Sequence, residues 1–306
     1  MAAALAFVPT PYSLILPGEA VNLRQVITVS GRPAPQAAFY LTDVAFEQNA
    51  SPLLLLQSLF PGTRVVRTSD VVPSTIDSSE YQTAMRDAMT ESQSVAAVVA
   101  ERAARLPIGV PKSSVQVQSF APQSVAQMSL RAGDILLSVE GKPTPTMIAV
   151  QHALARTAPG ATISIEVLRQ GMRQRVTAKT VVIGGVARLG IYLISQTVPP
   201  KLPLPVDFNL QNVSGSSGGL MFALDIYRTL VHKRPLSVDR IAGTGTLSYD
   251  GLVGPIEGAA QKVIAARKAG AQLFFVPREN YAEIAATPHI RIIPVTTFAQ
   301  ALRALE

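Results

Sequence analysis

Apolar and polar positions alternate with three different rhythms along the chain. Val26 to Ser30 and Ala38 to Phe46 have strand-like composition. Glu80 to Leu106 is a long helical stretch, rich in Ala, Glu, Arg and Met and free of Gly and Pro. Leu106-Pro107-Ile108-Gly109-Val110-Pro111 breaks it, and a domain boundary is placed there. From Ser113 to about Val182, short apolar strands are separated by turn signals. Val115 to Phe120 comes first, then a strand between Gly133-Asp134 and Gly141-Lys142. A helix follows at about Thr146 to Thr157, then Pro159-Gly160, a strand from Thr162 to Arg169, and a hairpin at Gln170-Gly171 into Arg175 to Val181. In the last third, Val206 to Leu210 reads as a strand. Leu220, Leu224, Tyr227 and Val231 then recur at helical spacing, with Ala223, Ile226 and Leu230 beside them. Pro255 to Ala269 predicts a helix closed by Gly270.

This pattern is that of a folded α/β chain, and composition agrees. The 306 residues suggest about two domains at roughly 150 residues each. Apolar residues make up 48% and charged residues 15%, against about 25% charged in an average chain, and mean hydropathy is +0.28. Extensive disorder is excluded. There is no cysteine, which excludes disulfides, a thiol nucleophile and zinc–thiolate sites. His152, His232 and His289 are the only histidines and lie far apart, so a histidine-based metal site is not expected.

The net charge of +7 is uneven. Residues 1–110 carry 7 basic and 9 acidic groups, residues 111–200 carry 9 and 3, and residues 201–306 carry 11 and 8. Basic groups in the middle third are spread singly, unlike the clusters of a nucleic-acid surface. A solvated face, or one meeting anionic lipid or a peptide carboxylate, fits better. At the start, Met1 to Val8 is apolar throughout and Pro9 ends it. Eight residues cannot span a bilayer, which needs about 20. The run reads as the end of a longer hydrophobic segment or as a frayed terminus.

The candidate chemistry lies at Asn212-Val213-Ser214-Gly215-Ser216-Ser217-Gly218-Gly219, which leads straight into an amphipathic helix. Free N–H groups at a helix start can hold an oxyanion, so a serine there is a candidate nucleophile. A flexible linker or an N-capping serine reads the same way. A phosphate loop is not matched, since no Gly-Lys-Ser/Thr ends the string. A chymotrypsin-like reading needs an upstream histidine, and only His152 stands upstream, inside another segment's helix. On the helix expected from Pro255, Glu257, Gln261 and Lys268 form a solvent stripe, while Lys262 falls about 140° away among alanines. Lys262 is then either a lysine snorkelling at the helix border or a buried one with a lowered pKa, able to act as a base.

Two resemblances carry the reading further. Leu130-Arg131-Ala132-Gly133-Asp134-Ile135-Leu136-Leu137-Ser138-Val139-Glu140-Gly141-Lys142-Pro143 resembles bacterial PDZ domains. That implies a small β-barrel binding an extended peptide, with a carboxylate-binding loop somewhere between Ile108 and Val117. The string around Ser217 is similar to the proteolytic domain of Lon-type serine proteases. So are Ala242-Gly243-Thr244-Gly245-Thr246, Gly251-Leu252-Val253-Gly254-Pro255-Ile256-Glu257-Gly258, the Gln261-to-Gly270 helix end and Leu273-to-Asn280. The resemblance puts Ser217 on the nucleophile, Lys262 on the general base and Thr244 beside the lysine, with Gly215 and Gly218 shaping the turn and backbone N–H groups at Ser217 and Gly218 as oxyanion donors. Ser216 is the fallback nucleophile. The departures are Ser216 for the usual Pro, Gly218 for the usual Ala, Ser214 for an acidic residue, and Thr246 for the Glu of Thr-Gly-Glu.

Met85 to Arg105 resembles the helix preceding the catalytic part of Lon proteases, so the PDZ-like segment is expected as an insertion. The whole order, with Val8-Pro9-Thr10-Pro11-Tyr12, resembles the bacterial membrane-anchored PDZ–Lon fusion proteases, the YlbL-like family. The expected organisation is a membrane-segment remnant at 1–12, the first protease part at 13–110, the PDZ domain at 111–185 and the catalytic part at 186–306. The implied function is ATP-independent serine endopeptidase activity outside the cytoplasm, anchored by an N-terminal helix, without cofactor or metal. Expected partners are protein or peptide substrates, exported or membrane proteins among them, and further copies of the chain in a ring, hexameric in the family. The competing reading is a non-catalytic peptide-binding scaffold.

Overall fold

A computed structural model describes residues 8–71, 78–122, 124–145, 147–154, 157–183, 186–210, 213–231 and 236–305. The chain divides into two compact units. One runs to Ile108 and resumes at Lys201; the other is Gly109–Pro200. The first unit contains, in chain order, β1 (Tyr12–Asn22), β2 (Ala38–Glu47), β3 (Arg64–Arg67) and α1 (Ser78–Ala103). The second contains β4 (Lys112–Phe120), β5 (Ile135–Val139), α2 (Met147–Leu154), β6 (Thr162–Arg169), β7 (Met172–Lys179) and β8 (Ile191–Val198). The first then resumes with α3 (Gly219–Leu230), β9 (Arg240–Gly243), α4 (Ala259–Lys268), β10 (Leu273–Pro277), β11 (Arg291–Val295) and α5 (Phe298–Leu305).

The first unit is a six-stranded sheet of order β11-β10-β9-β2-β1-β3. β2, β9, β10 and β11 are parallel; β1 is antiparallel to its neighbours β2 and β3. Parallel strands covered on both faces are apolar without alternation, and all five residues of β10 are buried. Alternate residues still serve different cores. Phe39, Leu41, Ile241 and Phe275 pack with α1 and α3, whereas Ala242, Phe274 and Val276 pack with α4. Ala96, Ala97 and Ala100 of α1 share the first core with α3. α3 is covered nearly all round, which is why its apolar residues exceed a single stripe.

α4 begins at Ala259, not Pro255. Gly258 sits at φ +72, and a Cβ there would lie 2.9 Å from Val44 Cγ1. Glycine therefore turns the chain into the helix at this point, and Glu257 stays in the preceding loop. The expected solvent stripe fails at Gln261. That side chain is buried and its Nε2 donates to Gly62 O at 2.9 Å, because the loop around Gly62 covers this face.

The second unit is an antiparallel sheet of order β8-β4-β5-β6-β7, with the short Lys142–Pro143 strand beside β5. It encloses its own core of Val115, Leu136, Val150, Ile165 and Val167. It extends to Pro200 rather than ending at 185. β8 pairs along the whole of β4, from Ile191 against Phe120 to Val198 against Lys112, so residues 186–200 belong here and the first unit resumes at 201. β4 is paired on both sides, so of the stretch considered for a carboxylate loop only 108–111 is outside strand.

Asp134 is the electrostatic anchor of this unit. Its carboxylate accepts from Arg169 Nε at 2.8 Å and Nη2 at 2.7 Å, and from Arg131 N at 2.8 Å. Burial pushes the Asp134 carboxyl up, but the Arg169 hydrogen bonds and charge outweigh it, and its pKa lies below the ordinary value. Asp134→Ala leaves Arg169 without its acid, a loss of roughly 3 kcal/mol. Differential scanning calorimetry should show the transition of residues 109–200 shifted down on the order of 10 °C.

Of the expected membrane remnant at 1–12, residues 1–7 lie outside the described residues, and Tyr12 already opens β1. Among the described residues no helix is long and apolar enough to cross a membrane.

Candidate active site

The turn before α3 is held from two sides. Gly215, at φ +87, donates from its N–H to Met85 O at 2.9 Å, and Ser92 Oγ donates to Ser216 O at 3.0 Å. Both partners are on α1. From the other side the segment after β9 clasps Ser217. Gly245 N donates to Ser217 O at 2.8 Å, Thr244 Oγ1 donates to the same oxygen at 3.2 Å, and Leu220 N returns a bond to Gly245 O at 3.1 Å. The Gly/Ser string is therefore a fixed turn with named partners, not a linker.

Gly218 and Gly219 have no room for side chains. A Cβ on Gly218 would lie 2.8 Å from the Phe222 ring, and one on Gly219 would lie 3.0 Å from Leu247 Cβ and Ser92 Oγ. Phe222 in turn stacks edge-on against Phe208, with ring centroids 5.5 Å apart. Gly218 in place of the usual Ala thus follows from the large residue one turn along the helix.

Lys262 reaches this turn from α4. Its Nζ lies 2.7 Å from Ser217 Oγ and 3.3 Å from Thr244 Oγ1. Lys262 is only 3% exposed and Thr244 fully buried. Burial lowers the lysine pKa to about 8, while the negative charges of Asp43 and Glu257 oppose that shift. Among the described residues the N–H groups of Ser217 and Gly218 donate to nothing, and they adjoin the start of α3, where the helix dipole favours negative charge. The arrangement can therefore present a hydroxyl to a neutral amine, with two unengaged donors beside it.

Ser217, Lys262, Thr244, Gly215 and Gly218 all come together in this one region. Ser216 is exposed and its hydroxyl does not meet the lysine, which bonds to Ser217 instead. His289 is exposed, and the side chain of His152 and the whole of His232 lie outside the described residues.

Three contributors were not legible beforehand. Ser92 and Met85 act on the turn from a helix more than a hundred residues upstream. Asp43, half-buried on β2, bears on Lys262 electrostatically; burial raises its own pKa, against the Val44 N–H bond and the lysine charge that lower it. Thr42-Asp43 in the middle of a mostly apolar strand was the available signal.

Residues 212–304, which carry all of this chemistry except the upstream supports, match the C-terminal proteolytic domain of Lon protease (S16). The chain carries a Lon-type proteolytic domain. Residues 85–180 match the PDZ domain family, a span that begins inside α1 and takes in most of the second unit. Lon protease 2 of Bacillus subtilis is 37% identical over 91 residues. That match covers 29% of this chain and 16% of the relative, so this chain corresponds to a small part of that protein's length. Among solved structures, the PDZ domain of an SdrC-like protein from Listeria monocytogenes is 22% identical, covering 26% of this chain and 86% of that one, with a TM-score of 0.25. The second domain of a listeria protein, Lin2157, is 20% identical, covering 26% and 83%, with a TM-score of 0.24. The chain thus joins a stretch similar to a Lon-type proteolytic domain to one similar to a PDZ domain.

Proposed function

We propose that the chain is an ATP-independent serine endopeptidase in which Ser217 and Lys262 form the catalytic dyad. The observation that carries this reading is the 2.7 Å approach of a buried lysine amine to Ser217 Oγ. In its neutral form the Lys262 amine accepts the Ser217 hydroxyl proton as Oγ bonds to the substrate carbonyl carbon. The carbonyl oxygen becomes an oxyanion, held by the N–H groups of Ser217 and Gly218. The Lys262 ammonium then returns its proton to the departing amine as the peptide bond breaks. A water, deprotonated by the same lysine, releases the acyl group and restores the hydroxyl. Thr244 Oγ1 accepts one amine hydrogen and fixes the direction of the lone pair.

In this reading the PDZ domain captures extended tails of protein substrates, exported or membrane proteins among them. The chain works outside the cytoplasm at a membrane, through an apolar N-terminal segment of which Met1 to Val8 is part, and assembles with further copies of itself. The deciding measurement is release of peptides from casein, without nucleotide, by the purified chain and by Ser217→Ala. Removal of the nucleophile lowers kcat by at least about 10³-fold, given the weight such residues carry. Equal release by the two proteins would reject the dyad and favour the non-catalytic scaffold.

A further inference from the structure

Ser92 lies in the interior of α1 and is buried. A serine or threonine inside a helix commonly returns its hydroxyl to the carbonyl four residues back. Both threonines of α1 do so: Thr83 Oγ1 donates to Ser79 O at 2.9 Å, and Thr90 Oγ1 donates to Arg86 O at 3.1 Å. Ser92 Oγ instead leaves its own helix and donates to Ser216 O at 3.0 Å, across 124 positions of sequence. The other bond to that oxygen, from Gly219 N, is long at 3.4 Å.

The carbonyl that Ser92 holds belongs to one particular peptide unit. A peptide unit is planar, so the direction of its C=O sets the direction of the N–H at its other end. The N–H paired with the Ser216 carbonyl is that of Ser217, one of the two that donate to nothing among the described residues. The next peptide unit is pinned in the same way. Its carbonyl, Ser217 O, accepts from Gly245 N at 2.8 Å and Thr244 Oγ1 at 3.2 Å, and its N–H is that of Gly218, the second open donor. Each open N–H is thus aimed through the carbonyl of its own peptide unit, one from α1 and the other from the segment after β9. A bond accepted by the carbonyl also polarises the N–H behind it.

We infer that Ser92 is a positioning residue for the oxyanion site. Its hydroxyl sets the plane of the Ser216–Ser217 peptide and aims Ser217 N–H at the oxygen that turns negative when Ser217 Oγ attacks. Ser92 touches no substrate and acts through that peptide. Thr244 and Gly245 do the same for Gly218 N–H. This deepens the Ser217–Lys262 reading and rests on it.

Ser92→Ala in the full chain removes the hydroxyl without weakening α1, since Ala has the higher helix propensity. Loss of a whole oxyanion donor costs about 10²–10³-fold in kcat, so a donor kept but misaimed should cost roughly tenfold or more. KM should stay that of wild type, because the aimed bond is made only in the transition state. A peptide boronic acid is the second probe. Ser217 Oγ bonds to its trigonal boron, the hydroxyl proton passes to Lys262, and boron becomes a tetrahedral anion with nothing leaving. Ser92→Ala should raise its dissociation constant by the factor lost from kcat. The same peptide with hydrogen in place of the boronic group has no oxygen to set beside the N–H groups, and its binding should not change. Ser92→Thr keeps the hydroxyl and should restore both quantities; if its methyl does not fit beside Gly219, the two peptides on Ser92→Ala decide alone. Equal weakening of both peptides overturns the inference in favour of a structural serine. Cleavage lost in Ser217→Ala but unchanged in Ser92→Ala overturns the inference and leaves the dyad standing. Cleavage that survives in Ser217→Ala overturns the dyad reading and this inference with it.

Discussion

Lys262→Arg should abolish peptide cleavage while leaving the fold intact. Arginine stays protonated at any pH the protein survives and cannot accept the Ser217 proton. Loss of the general base should lower kcat by at least about 10³-fold. Circular dichroism should stay close to that of wild type, because Arg keeps the positive charge and the flexible aliphatic stem of the side chain. The wild-type pH profile is the companion measurement. The folded-state pKa of Lys262 is depressed to about 8, with burial as the leading cause. The active form is the neutral amine, so kcat/KM rises with pH and levels off above that value. Near pH 7 about one molecule in ten has the neutral amine, and near pH 9 about nine in ten. Asp43 pulls the pKa upward by favouring the ammonium, so Asp43→Asn should move the rising limb to lower pH. Retained cleavage in Lys262→Arg, or a limb centred near the ordinary lysine value, would remove Lys262 from the role of base.

Much of this site was readable from local patterns, for a physical reason. A serine at a helix start and a lysine on an alanine-rich helix are each set within a few residues, and their motifs survive as strings. β6, Thr162–Arg169, was predicted with its bounds, because Pro159-Gly160 and Gln170-Gly171 fix both ends by turn chemistry. What failed depended on distant partners. Gln261 looked like a solvent residue because periodicity cannot show that Gly62, some two hundred residues earlier, closes over it. The start of α4 was misjudged because Gly258 was read as part of a helix from Pro255, and its positive φ and contact with Val44 are set by tertiary packing. Two buried carboxyls were invisible for the same reason. Glu101 and Asp225 lie on helices that pack together, and burial pushes Asp225 up to about 7. The end of the PDZ unit was placed at 185, short of a return strand, Ile191–Val198, that pairs only at long range with β4.

That return strand changes how the two units can be separated, and it sets the second large effect. Removing only residues 111–185 would take away β4 and leave β8 without a partner, with an exposed edge prone to association. The neck lies further out. Lys112 and Val198 are paired across β4 and β8, and a Cβ on Gly109 would stand 3.3 Å from Pro200 Cβ. The unit's two ends therefore leave side by side, within a few ångströms of each other. In the host, Glu101 holds both sides of the junction: its backbone O accepts from Leu106 N at 3.0 Å, and its carboxylate accepts from Leu204 N at 3.3 Å. Deleting residues 110–199 with two or three Gly/Ser residues as a bridge should leave a folded Lon-type unit, since adjacent ends need no rearrangement of the host core. In the proposed function the PDZ domain tethers protein substrates and raises their local concentration at the dyad. The deletion should therefore cut the rate on a full-length protein at least about tenfold relative to the rate on a short peptide, which needs no tether. The quantity to measure is the ratio of the two rates before and after deletion. An unchanged ratio would show that the PDZ domain does not deliver substrate. An unfolded product would show that the two units are not separable at Gly109 and Pro200.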